Sequence, residues 1–181
     1  MKNLIKYLFI SIAFIACNND DKPEDPISQL PPATQIGANK IGCLVNGVPF
    51  TDSGLMNNFY QLVDGEYFLG INWEQDTSTT SKFGQIGMKR IEIVEGQTYI
   101  LNKSGFLNGD FTGAGGTFYT NIEPVNGQFE TNESFTGKIH FTKFDKQNQI
   151  MSGTFEFQAQ EIFSGETISI TDGRFDLTFT N

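Results

Sequence analysis

The chain has 181 residues, with 12 Lys+Arg against 21 Asp+Glu and a formal charge of −9. That length supports one domain with its own core, independent of disulfides or metals, and that charge argues against nucleic acid, whose phosphates require clustered Lys and Arg. One His and two Cys exclude multi-histidine zinc sites and disulfide-dense scaffolds, while 18 Phe and 19 Gly point to short Phe-filled strands joined by glycine turns.

The first element is an export signal over residues 1–16. Lys2 and Lys6 give a positive start, and Leu8 to Ala16 is almost wholly apolar but too short to span a bilayer as a permanent helix. It ends in Phe14-Ile15-Ala16-Cys17, which resembles the lipobox of bacterial lipoproteins, with Phe14 where leucine is commoner. The resemblance implies cleavage before Cys17 and acylation of that residue, a stable attachment because several acyl chains are buried together. Removing residues 1–16 takes away Lys2 and Lys6 and leaves 10 basic against 21 acidic side chains, a charge of −11. Cys17-Asn18-Asn19-Asp20-Asp21-Lys22 is similar to the acidic tract of Bacteroidota lipoproteins that are exported to the outer leaflet of the outer membrane. The same aspartates could equally begin a solvated linker, which leaves a periplasmic orientation open. Residues 17–36 hold Asp20, Asp21, Glu24, Asp25 and four prolines, a composition that favours an extended linker. At roughly 3 Å per residue it could hold the domain up to about 50 Å from the membrane.

From residue 37 to 181 the chain reads as a single β domain: an antiparallel sandwich or closed barrel of about 8–10 strands with glycine-rich hairpins. Asn46-Gly47, between Gly42-Cys43-Leu44-Val45 and Val48-Pro49-Phe50, has the residues of a type I′ turn, and Asp64-Gly65 between 58–63 and 66–74 repeats the pattern. Further strands are expected at 83–94, 98–102, 117–122 and 135–144. In Met151 to Phe163, Met151, Phe155, Phe157 and Ala159 share one parity and polar residues take the other, which predicts a half-buried antiparallel strand. After Ser164-Gly165, Ile168 and Ile170 are apolar on even numbers but Phe175, Leu177 and Phe179 on odd ones. Near Asp172-Gly173 either a hairpin turn or a bulge must change the parity; a bulge would give one long final strand with Phe155 opposite Phe175.

Residues 30–47, Leu-Pro-Pro-Ala-Thr-Gln-Ile-Gly-Ala-Asn-Lys-Ile-Gly-Cys-Leu-Val-Asn-Gly, resemble the opening of a family of uncharacterised Bacteroidota lipoproteins. Ser152-Gly153-Thr154-Phe155-Glu156-Phe157 and Ile170-Thr171-Asp172-Gly173-Arg174-Phe175-Asp176 are similar to its ending. The resemblance implies an anchored surface or periplasmic β domain and carries over no catalytic residue.

The side chains that could do chemistry mostly have plainer roles. Cys43 sits in an apolar strand and is expected in the core. His140 alternates with Lys138 and Thr142, opposite to Ile139 and Phe141, and is expected to face solvent; no Gly-x-Ser-x-Gly elbow presents a serine to it. The acid pairs Glu92/Glu95, Glu130/Glu133 and Asp172/Asp176 fall in turns or on outer faces, as solvated charge. Oxygen-rich loops at 76–81 and 145–148 match no calcium pattern. The stretch from Asn108 to Gly116 lacks a phosphate-loop ending and reads as a flexible loop, and Trp73 shares its parity with Tyr67, Leu69 and Ile71, as a core residue would.

No catalytic, metal or cofactor site is assigned, and Cys17 is the one site residue named. The reading is a lipid-anchored binding or interaction domain whose ligand-binding residues are unknown, its partner besides the membrane being a surface protein or glycan. The alternative is a lipocalin-like carrier with an apolar cavity, and a third reading is a polysaccharide hydrolase, which needs two carboxylates facing one cleft.

Overall fold

The computed structural model describes residues 25–52, 57–104 and 111–181. The expected export signal and Cys17 lie outside these residues. A 3-10 turn, Pro26–Gln29, precedes eleven strands: β1 (Lys40–Val45), β2 (Val48–Thr51), β3 (Phe59–Val63), β4 (Glu66–Asp76), β5 (Ser81–Lys89), β6 (Thr98–Leu101), β7 (Gly113–Ile122), β8 (Val125–Glu130), β9 (Gly137–Asp145), β10 (Ile150–Glu161) and β11 (Thr167–Thr178). The domain is all-β, as its turn spacing indicates, and it is a barrel.

Five strands close on themselves: β9 pairs β6, β6 pairs β7, β7 pairs β8, β8 pairs β10, and β10 pairs β9. All of these pairings are antiparallel except the single β6–β7 bridge, Leu101 to Ala114. Two wings extend from this ring, β11–β1–β2 from β10 and β5–β4–β3 from β7. They approach each other where Tyr60 N–H donates to Thr180 O at 2.8 Å and Thr180 N–H to Asn58 O at 2.9 Å. A side chain extends this second closure, with Glu74 N–H donating to Asp52 Oδ1 at 3.0 Å.

Local sequence explains the hairpins. Asn46 and Gly47 have φ of 48° and 80°, and Asp64 and Gly65 have 51° and 82°, the left-handed pair that a two-residue I′ turn demands. The final strand is continuous and bulged. Phe155 pairs with Gly173 and Phe157 with Ile170, so Glu156 alone faces Thr171 and Asp172, the latter at φ 54°. The expected Phe155–Phe175 pairing is therefore corrected: Gly153 faces Phe175, and Phe155 lays its ring over Gly173, where an added Cβ would meet ring carbons at 2.6 Å.

Three other expectations change. The glycine-rich stretch is not a loop throughout, because Gly113 to Gly116 belong to β7 and pair with β5; residues 108–110 lie outside the described residues. These glycines are required by packing: a Cβ on Gly115 would fall 2.2 Å from the Lys103 carbonyl oxygen. The strand expected over 83–94 stops at Lys89, where Arg90 takes φ 61°. And β8, which alternates exposed Asn126 and Gln128 with Val125, Gly127 and Phe129 on the other face, is a strand beyond those expected.

The interior is filled by rings. Trp73 and Phe118 are buried with Phe50 between them, its centroid 6.5 Å from Trp73 and 5.7 Å from Phe118. Trp73 lies 5.1 Å from Phe155, while Phe141 bridges Phe144 and Phe175 at 5.7 Å each. One mouth is stoppered by Tyr60, Tyr67, Phe144 and Phe179, with Tyr60 stacked on Tyr67 at 5.1 Å and Phe144 on Phe179 at 5.4 Å. Such pairs add directional attraction to the burial of large apolar area.

Candidate functional site

Strands β9, β10 and β11 send alternate side chains to opposite faces. Ile139, Phe141, Phe155, Phe157 and Phe175 point into the barrel, which leaves Lys138 and His140 of β9, Thr154 and Glu156 of β10 and Arg174 of β11 on the outer face. With Thr98 of β6 and Ala33 of the N-terminal segment, these residues line a groove of about 530 Å³. Past Lys138 and Glu156 it runs on into a second hollow of about 560 Å³ bordered by Ile100, Gln158 and Thr171. Both volumes lie outside the barrel wall.

The groove is polar and of mixed charge. Lys138 Nζ sits 3.0 Å from Glu156 Oε1, with both side chains more than half exposed, so the pair contributes little to stability. His140 Nδ1 is 3.0 Å from Thr98 Oγ1 and faces outward, as its alternation predicts. Asp172 stands at the bulge, which turns its backbone out of the ladder. The Arg174 side chain has no hydrogen bond or ion pair among the described residues, leaving its planar fork of donors open.

Beside the groove, Asp176 anchors the N-terminal segment. Asp176 points outward by parity yet is 1% exposed, which corrects the expectation of solvated charge. Residues 34–38 lie over it as a strap. Asp176 accepts hydrogen bonds from Thr34 Oγ1 at 2.5 Å, from the N–H groups of Ile36, Gly37 and Ala38 at 3.1, 2.8 and 3.2 Å, and from Ser152 Oγ at 2.8 Å. Burial alone would raise its pKa, but the donors outweigh it and hold the carboxyl down at about 2. Ala33 enters the groove lining as the strap leaves Asp176. Pro31 packs on Gly42, and Leu30 is buried, so residues 30–38 belong to the folded body.

The other candidates are dispersed. Cys43 is fully buried and pairs with Phe50 across β1–β2; burial pushes its thiol up to about 12, which the Trp73 indole and Lys82 only partly offset, so no thiolate forms near neutral pH. Trp73 is fully buried too. Glu92 is paired with Lys146 Nζ at 2.7 Å, and Glu95 accepts from Phe144 N–H at 2.9 Å. Glu130 Oε1 accepts from Gln128 Nε2 at 2.7 Å. Asp145 accepts from Gln147 N–H, Asn148 N–H and Asn148 Nδ2, which holds the β9–β10 turn, and Asp76 accepts from Ser81 Oγ at 2.6 Å. No three His, Cys, Asp or Glu side chains converge on a metal position among the described residues.

Sequence alternation around Phe175 places Arg174 outward, but it offers no sign that strand β11 and residues 31–38 together wall a groove. No family model matches the chain, and neither a curated protein nor a solved structure matches it significantly.

Proposed function

We propose that the chain is a lipid-anchored domain of the outer membrane, attached through Cys17, which binds a polar partner along the groove on the outer face of β6, β9, β10 and β11. The observation that carries this reading is the unpartnered Arg174 guanidinium beside Lys138 and His140, on a protein whose mature charge is −11. An unpartnered guanidinium in a concave, hydroxyl-rich site suits carboxylate or sulfate groups on a glycan or on a protein loop. Exposed aromatic platforms are not part of the lining, since the Phe155 ring turns inward, so the groove favours ionic and hydrogen-bonding contacts over sugar stacking.

Binding of the purified protein to arrayed acidic and neutral glycans tests this. Acidic glycans should be retained and the signal should fall at least about tenfold in Arg174→Glu, because a buried charge-assisted contact is replaced by repulsion. Equal binding by wild type and variant would remove the groove from the account. Fatty-acid labelling of the wild type but not of Cys17→Ala tests the attachment.

A second reading, hydrolysis of a surface polysaccharide, is favoured by one observation: Glu156 and Asp172 line the same groove. Release of reducing ends by the wild type, abolished in Glu156→Gln and in Asp172→Asn, would support it over simple binding. The apolar-carrier alternative requires interior space, whereas the inward rings pack against one another and both hollows lie outside.

A further inference from the structure

The two ends of the barrel differ in charge. At one end lie the turns β1–β2, β4–β5, β7–β8 and β10–β11, as shown by Asn46 N–H donating to Ser169 O at 2.9 Å, Ile162 N–H to Gln128 O at 3.2 Å and Ser81 N–H to Asn121 Oδ1 at 2.7 Å. These turns read Asn46-Gly47, Thr77-Ser78-Thr79-Thr80, Glu123-Pro124 and Ile162-Phe163-Ser164-Gly165. Phe163 is 91% exposed, with Ile162 at 49% beside it and Val48 at 58% on the neighbouring tip. The acids on or beside these turns are Asp76, Glu123, Glu166 and Glu161, whose carboxylate accepts from the Phe163 and Ser164 N–H groups and is 7% exposed. The opposite end also exposes Leu62, Val63 and Val94, but among ion pairs: Glu66 with Arg90 at 2.6 Å, Glu92 with Lys146 at 2.7 Å and Asp145 with Lys143 at 3.9 Å.

The path of the N-terminal segment is an independent observation. From the strap at Asp176 the chain runs back along the wall past Gly42, and its 3-10 turn packs against β2, whose first residue is Val48. The described chain thus begins at Asp25, in the turn that lies beside β2. Between Cys17 and Asp25 a fully extended chain spans at most about 28 Å, less than the roughly 40 Å length of the 12-residue strands β10 and β11. Because residues 30–38 are tied to the barrel, the tether is little more than half the length that composition alone allowed.

We propose that the apolar end faces the membrane, with the tip Ile162-Phe163 and the neighbouring Val48 entering the headgroup region of the leaflet that holds the Cys17 acyl chains. The inference rests on the lipid-anchored reading. A short tether rooted beside this end brings it to the bilayer first, and an exposed Phe-Ile tip loses its contact with water there. The groove, on the side wall, then stays open to solvent.

The test uses the full-length processed lipoprotein reconstituted in phosphatidylethanolamine and phosphatidylglycerol vesicles, with and without brominated acyl chains. Phe163→Trp and Leu62→Trp place reporters at the two ends, and wild-type emission from Trp73 is subtracted. Brominated lipid should quench the Phe163→Trp signal at least about twofold and leave Leu62→Trp unchanged. If the wild type does not float with vesicles, the anchored reading falls and the orientation falls with it. If it floats but Phe163→Trp is unquenched, or both reporters are quenched alike, the orientation alone is overturned; unquenched emission that is blue-shifted by an added envelope fraction would assign the tip to a protein partner instead.

Discussion

The inner and outer faces of strands β9, β10 and β11 are made by alternate residues of the same chain, yet they answer to different constraints. Inward, Phe141, Phe155 and Phe175 are locked in ring contacts of 5.7 to 6.4 Å with one another, and Phe155 also touches Trp73 at 5.1 Å. Outward, Lys138 and Glu156 are more than half exposed and Arg174 is unpartnered among the described residues. The inner face is where volume is fixed and the outer face is where chemistry is free to vary, so stability and binding should separate by residue parity. The largest effect that sharpens this contrast is Phe155→Ala. Removing a ring at 3% exposure should cost about 4 kcal/mol through lost burial and a residual cavity, measured as a fall in the urea midpoint at unchanged slope. A loss below about 1 kcal/mol would mean that the interior collapses around the gap and is not closely packed.

Asp176 breaks the parity rule, because the strap covers an outward-facing position and turns it into core. Its carboxylate satisfies three backbone N–H groups and two hydroxyls, so Asp176→Ala leaves several donors without an acceptor. The expected cost is about 3 kcal/mol, smaller than for Phe155 because water can reach some of the freed groups once the strap lifts. The pH dependence has a definite sign. A carboxyl held at about 2 in the fold, against an ordinary 3.8, stabilises the native state fully above pH 4 and loses that contribution as pH falls toward 2. Over this window the wild type should lose about 2 kcal/mol more than Asp176→Asn, in urea titrations at a series of pH values. Equal slopes for the two proteins would show that the strap is held by something other than this charge.

These two sites also show how far the sequence is legible. Inward Phe residues announce themselves by alternation, and Asn46-Gly47 and Asp64-Gly65 announce their hairpins by needing positive φ. The parity break at Asp172-Gly173 is visible too, although its bulge puts Gly173, not Phe175, opposite Phe155. Asp176 is illegible for the opposite reason: its donors lie about 140 residues away, on a Pro-rich segment whose composition suits an extended linker. No local period encodes a contact that exists only after the barrel has formed. The first part of β7 is hidden similarly, since Gly113 to Gly116 look like loop until β5 and the Lys103 carbonyl crowd against them, whereas 117–122 is legible as strand. The groove inherits this limit, because its wall at Ala33 depends on the strap.

The smallest expected effect carries the functional half of the comparison. Arg174 follows Gly173, where an added Cβ would meet the Phe155 ring at 2.6 Å, and precedes the buried Phe175, but its own guanidinium touches no partner among the described residues. Arg174→Ala should therefore leave the thermal midpoint within the change that about 0.5 kcal/mol produces, the usual range for a surface position away from caps, cavities and buried networks. A larger loss would mean that the aliphatic stem of Arg174 packs on the barrel wall, which would weaken the case that its charge is kept for a ligand. A change within that range, together with reduced retention on acidic glycans, would separate the two faces: a variant that unfolds nothing and still loses its partner can only have acted through the groove.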